Sequence, residues 1–205
     1  MNAVRIAALA TMCLASQALA AEPPSLVGQW KSTQCEVRPG ANGQKYYVKR
    51  DFTYTKTDSR CTITFYADET CDESKKVSKV FFTGPYVVRP AAIDKEGATK
   101  GAHPAHFLFS TLKITPYADG FTQYLNSGAP GTCGTKKWEA GKEQDVTGTN
   151  GCAAVFSFNQ CPWEQDLVKV TGNELYFGAR PADGGCNPDA KHLPTALQVP
   201  MKRVK

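Results

Sequence analysis

Histidine is scarce in this chain, three residues in 205, at His103, His106 and His192, so general acid–base chemistry has few candidates. There is no Gly-x-Ser-x-Gly elbow, no His-Glu-x-x-His pair and no glycine-rich loop closing on Lys-Ser or Lys-Thr. These absences remove the serine-hydrolase, zinc-protease and phosphate-loop readings. No Cys-x-x-Cys pair occurs and the cysteine intervals are wide and irregular, which argues against a structural zinc site. The acidic run from Asp68 to Glu73 lacks the spaced oxygen ligands of a calcium loop and reads as a charged hairpin tip. His103-Pro104-Ala105-His106 reads as a solvated loop ahead of a strand. No catalytic set, metal or cofactor is expected. The net charge of +5 is too small to imply nucleic acid. Beyond the N-terminus no run reaches the roughly 18 apolar residues of a membrane helix, so no transmembrane anchor is expected.

What is present begins at the N-terminus. Arg5 heads an uncharged apolar run from Ile6 to Leu14, and Ala18-Leu19-Ala20 follows with small-x-small spacing. Residues 1–20 thus read as a secretory signal peptide and residues 21–205 as one domain of a secreted or periplasmic protein. Cleavage removes one Arg and no acid, leaving a net charge near +4. Of the eight cysteines, Cys13 falls in the leader. Cys35, Cys61, Cys71, Cys133, Cys152, Cys161 and Cys186 then face an oxidising compartment, where cysteines read first as disulfides. With 41% hydrophobic and 21% charged residues, the chain can bury a core.

The period of the apolar residues is close to two almost everywhere after residue 28. Phe52 and Tyr54 share a face, as do Ile63 and Phe65, Phe107 and Phe109, and Ala154, Phe156 and Phe158. Half-buried antiparallel strands give this pattern. Asn42-Gly43, between Cys35–Arg38 and Tyr46–Val48, suggests a hairpin with a two-residue primed turn. Thr115 as cap and Pro116 in the first turn predict one short helix running to about Asn126, with Phe121 and Leu125 on one stripe. A sheet of this size must hide its edges, and closing or half-closing it into a barrel with a helix across one mouth does so. The inward aromatics then either fill the barrel or line a ligand cavity.

Five strings carry a resemblance. Gly28-Gln29-Trp30-Lys31-Ser32-Thr33-Gln34-Cys35-Glu36-Val37-Arg38-Pro39 resembles the opening of the domain repeated in the adenomatosis polyposis coli down-regulated protein family. Lys49-Arg50-Asp51-Phe52 is similar to that family's Thr-Arg-x-Phe strand, and Lys113-Ile114-Thr115-Pro116 leads into a similar helix. Cys133-Gly134, Trp138, Gly141 and Gln144-Asp145-Val146-Thr147-Gly148-Thr149-Asn150-Gly151-Cys152 resemble its most specific block. Arg180-Pro181-Ala182-Asp183-Gly184 and Gln198-Val199-Pro200 resemble its closing strings. The fold implied is mainly β: an antiparallel, partly open β-barrel with one short helix and disulfides. Animal members are membrane-tethered, carry two such domains and inhibit Wnt signalling by binding the Wnt ligand, whose acyl chain such a cavity accepts. Cys35, Cys61, Cys133 and Cys152 fall at family cysteine positions, which implies the pairs Cys35–Cys61 and Cys133–Cys152 and leaves Cys71, Cys161 and Cys186 as extras. Arg38, Arg50, Asp145 and Arg180 also match, and form a possible internal ion network unless Asp145 only caps a turn. Around Asn42-Gly43 the chain is about four residues longer than the animal pattern. Gly101-Ala102-His103-Pro104 replaces the animal Gly-Gly-Thr-Glu.

Two function classes follow. One is a non-enzymatic binding protein that shields an apolar chain, its partner a lipid or an acylated protein, with Phe52, Tyr54, Phe65, Phe107, Phe109, Phe156 and Phe158 lining the cavity. The other is a structural or interaction module with a filled barrel. A pocket of several hundred Å³ favours the first and a packed interior the second.

Overall fold

Short alternating segments pair here into one continuous antiparallel sheet. A computed structural model describes residues 22–39, 43–93, 95–128, 133, 137–149, 163–179 and 193–205. The strands are β1 (Gly28–Ser32), β2 (Glu36–Pro39), β3 (Lys45–Tyr54), β4 (Asp58–Tyr66), β5 (Lys76–Val88) and β6 (His103–Leu108). After them come β7 (Thr111–Pro116), the helix α1 (Asp119–Asn126), β8 (Gln144–Asp145), β9 (Trp163–Thr171), β10 (Glu174–Phe177) and β11 (Met201–Arg203). Pairing runs β3-β1-β11-β10-β9-β6-β5, and β4 joins β5 back to β3. The ring therefore closes through eight strands and leaves those edges paired, where the resemblance implied a partly open barrel.

Two long strands serve both the ring and an extension. β3 pairs β1 through residues 51–54 and β2 through residues 45–48. β5 pairs β7 through residues 78–83 and β6 through residues 86–88, with β8 added beyond β7. The change of partner in β5 falls at Gly84, where a Cβ would lie 1.8 Å from the Leu108 carbonyl oxygen. Only glycine lets the two backbones approach so closely.

Parity sets the core. In β3 the even positions Val48, Arg50, Phe52 and Tyr54 are buried, and in β6 Ala105 and Phe107 are. Of these, Phe52, Tyr54, Ala105 and Phe107 join Trp30, Val168, Leu175, Phe177 and Met201 in the barrel core. Trp30 donates its indole N–H to the Leu26 carbonyl at 2.7 Å, and the Arg203 guanidinium lies 4.1 Å from its ring centre. A second cluster sits under the extension and gathers Val80, Leu112, Ile114, Leu125, Cys133, Trp138 and Val146. The side-chain amide of Asn126 ties α1 to that cluster, donating to the Trp138 carbonyl at 2.9 Å and accepting from its N–H at 2.7 Å.

Several local expectations are corrected. Thr115 and Pro116 end β7, opposite Lys79 and Ser78, and do not open the helix. The β-branched Ile114 and Thr115 carry the strand that far, and the helix starts at Asp119 after Ala118. β2 and β3 do form a hairpin, but the register Pro39↔Lys45 leaves five residues between them, too many for a two-residue turn. His103-Pro104-Ala105-His106 belongs to β6, paired with residues 165–168 of β9.

The pairing Cys35–Cys61 is overturned, because Cys35 is bonded to Cys71 with a Cα–Cα distance of 5.5 Å. Glu36 is in register with Val48 and, through it, with Phe65 of β4. Cys61 lies four residues back along β4, about 13 Å away along the strand and two strand spacings across. Disulfide geometry cannot span that. Cys61 is free and buried, with its thiol 3.7 Å from the Tyr54 hydroxyl. Cys133 is disulfide-bonded. Cys152, Cys161 and Cys186 lie outside the described residues.

Candidate functional site

A small pocket inside the barrel brings together an aromatic wall and a charged wall. Arg50, Phe52 and Tyr54 reach it from β3 and Arg38 from β2. Cys61 and Ile63 come from β4, Phe82 from β5, and Phe107 and Phe109 from β6 and the residue just after it. Glu164 and Asp166 are supplied by β9, Phe177 by β10, and Gln198 by the segment before β11. Edge-to-face contacts recur in the aromatic wall: Phe52 meets Phe177 at 5.6 Å, Phe82 meets Phe109 at 5.4 Å, and Tyr54 meets Tyr86 at 5.1 Å between ring centres, while Phe107 is tilted against Tyr54 and Phe177. Such pairs stabilise beyond their area alone. The space left between the walls is about 50 Å³. Ligand pockets usually measure about 300–1,000 Å³, and a water occupies about 30 Å³. The resting interior is therefore largely filled.

The charged wall is built around two guanidinium groups. Arg50 donates from Nε to Glu36 Oε1 at 2.9 Å and from Nη2 to the Val199 carbonyl at 2.7 Å. Its guanidinium also lies 5.7 Å from the Phe177 ring centre and 6.0 Å from that of Phe52. Arg38 donates from Nη2 to Gln198 Oε1 at 2.9 Å, and its nearest Glu36 oxygen is 3.9 Å away. The Nε–H of Arg38 is buried without an acceptor among the described residues. Burial lowers Arg38 to a pKa of about 10, and the neighbouring Arg50 adds to the shift while Glu36 and Asp166 oppose it. Asp166 Oδ1 accepts from the main-chain N–H of Leu167 at 2.7 Å and of Gly178 at 2.9 Å. Burial still pushes its carboxyl up to about 7, against those two hydrogen bonds and both arginines. A Cβ at Gly178 would come within 2.4 Å of Asp166 Oδ1, so the glycine admits this contact.

Of the expected cavity residues, Phe52, Tyr54, Phe107 and Phe109 face this pocket. Phe65 packs instead against the second cluster and meets Tyr46 edge-on at 6.4 Å. The strand carries Ile63 and Phe65 on one face, but the barrel core ends between them. Phe156 and Phe158 lie outside the described residues. Arg38 and Arg50 lie in one charged cluster, but Asp145 does not join it. Asp145 is exposed on β8 and accepts from the Thr147 N–H at 2.8 Å, a turn cap. Arg180 lies outside the described residues. The acids that face the arginines are Glu36 and Asp166.

Sequence reasoning missed Phe82, Phe177 and the β9 acids. The alternation of Leu175 and Phe177 was a usable signal. Phe82 follows Val80-Phe81 in a continuous apolar run that hides its parity. In β9 five consecutive residues, Glu164 to Val168, are buried, three of them polar, so no alternation exists to read.

Among the described residues no helix is long and apolar enough to cross a membrane, and no group of three or more His, Cys, Asp or Glu side chains is placed to hold a metal ion. The family model described as adenomatosis polyposis coli down-regulated 1 matches residues 7–205.

Proposed function

The chain belongs to the adenomatosis polyposis coli down-regulated 1 family, and from that premise we propose that it is a secreted or periplasmic, non-enzymatic binding protein that shelters an apolar chain, a free lipid or an acyl group on a partner, against the aromatic wall of its barrel. The observation that carries this reading is the wall itself, six aromatic rings and Ile63 gathered on one pocket. Phe82, Phe109 and Ile63 are only half-buried, so they are the side chains that swing aside to admit a chain. Each methylene that enters contributes roughly 0.8 kcal/mol, from which ring displacement and ligand ordering subtract. The Cys35–Cys71 disulfide supports an oxidising compartment, as does the leader-like pattern of residues 1–20.

A second reading is favoured by the 50 Å³ interior: a filled barrel that recognises a partner through its surface. Titration of purified protein with a fluorescent fatty acid, alongside native mass spectrometry for a carried-over lipid, separates the two. Binding at micromolar affinity or better is expected. Absence of both signals rejects the lipid reading and leaves the filled barrel.

A further inference from the structure

In the charged wall one carboxylate, Glu36, is shared by two arginines. Glu36 is bonded to Arg50 at 2.9 Å and stands 3.9 Å from Arg38, and among the described residues the Arg38 Nε–H has no acceptor. Glu164 and Asp166 also face the pocket, but Asp166 Oδ1 is engaged by two main-chain N–H groups. Among the described residues Arg38 is thus a cation with an unused hydrogen-bond donor that shares Glu36 with Arg50, and its side chain is 20% exposed at the edge of an aromatic pocket. A guanidinium in that state is completed by an anionic oxygen acceptor, since charge-assisted hydrogen bonds are the strong ones and a planar fork suits a carboxylate. The free space of about 50 Å³ matches a head group and not a chain.

We infer that the ligand is a single-chain amphiphile with a carboxylate head, a free fatty acid, whose carboxylate takes the Arg38 guanidinium while its chain lies against Phe82 and Phe109. This rests on the apolar-chain reading above and sharpens it. An ester or an alcohol of the same length keeps the chain and lacks the charge.

The test displaces a bound fluorescent fatty acid from the full-length purified protein with dodecanoate, methyl dodecanoate or dodecanol at pH 8. Dodecanoate is expected to compete at roughly tenfold lower concentration than the other two, the difference one charge-assisted hydrogen bond makes. In Arg38→Gln that advantage disappears, and dodecanoate and its methyl ester compete alike. Equal competition by all three in the wild type overturns the carboxylate assignment and leaves the apolar-chain reading standing. No probe binding at all overturns both. The wild-type comparison needs no variant, so a poorly folding Arg38→Gln does not decide the matter.

Discussion

Glu36 and Arg50 meet at 2.9 Å with their side chains 4% and 1% exposed, a buried ion pair between the start of β2 and the middle of β3. Ser32 binds both partners: its hydroxyl donates to Glu36 Oε1 at 2.5 Å and accepts from the Arg50 main-chain N–H at 2.7 Å. Three strands are thereby locked at the point where β3 exchanges β2 for β1. Removing one member of such a pair leaves a buried charge without compensation and costs about 3–5 kcal/mol. Glu36→Ala should lower the urea midpoint accordingly. The double replacement Glu36→Leu with Arg50→Met should recover most of the loss, because an apolar pair of similar volume carries no desolvation cost. A midpoint unmoved by Glu36→Ala shows that the pair does not hold the strands.

The covalent link is the second target. Cys35 and Cys71 close a loop with a separation of 36 residues, which in the chain-entropy model stabilises by about 4 kcal/mol. Cys71→Ser should reduce stability by that order. Peptide mapping of non-reduced protein should recover the Cys35–Cys71 cross-link. Burial pushes the Cys61 thiol up to about 12, so Cys61 should resist alkylation until the protein is unfolded. A Cys35–Cys61 peptide overturns the assignment.

Asp166 gives a pH dependence with a definite sign. Its carboxyl is raised by burial to about 7 in the folded protein, against about 3.9 in an unfolded chain. Between those values the native state holds a proton that the unfolded state has released, so stability falls as pH rises from about 4 to about 7. The slope is at most about 1.4 kcal/mol per pH unit. Asp166→Asn keeps an oxygen for the Leu167 and Gly178 N–H groups and removes the titration. Chemical unfolding at several pH values should show the slope flattened in the variant. An unchanged slope assigns it to other groups.

The period of two made most of the barrel legible, because one face of each strand is buried and residues two apart, such as Phe52 and Tyr54, share it. What it could not supply is where a strand changes neighbours. Phe65 has the parity of Ile63 but lies past the barrel core, and only the pairing Phe65↔Ser78 shows that it belongs to the extension. Thr115-Pro116 carries helix-start chemistry locally, and the pairing with β5 overrides it. The charged wall escaped for a different reason: Glu164 and Asp166 look like surface residues until Arg38, Arg50 and the Gly178 N–H are brought beside them from far along the chain. Cysteine pairing depends on the same long-range placement, which spacing does not encode.

Phe109 and Phe177 line the same pocket, but one is half-buried just beyond β6 while the other is 6% exposed in β10. A carboxylate introduced at each should therefore act differently. Phe177→Asp removes a ring packed on Phe52 and Phe107 and buries a charge in its place, so it should cost about 3–5 kcal/mol and impair folding. Phe109→Asp can turn its charge towards solvent, so its folding cost should be smaller. It also sets a charge against the acyl chain and takes away one face of the chain's path. Fatty-acid affinity should fall at least tenfold in a protein whose circular dichroism and melting profile remain close to wild type, a ratio consistent with one lost apolar contact surface. If Phe109→Asp binds as tightly as the wild type, the chain does not pass that ring. If the wild type binds no acyl probe and Phe109→Asp only unfolds, the aromatic wall is core, and the filled-barrel interaction module is the better account.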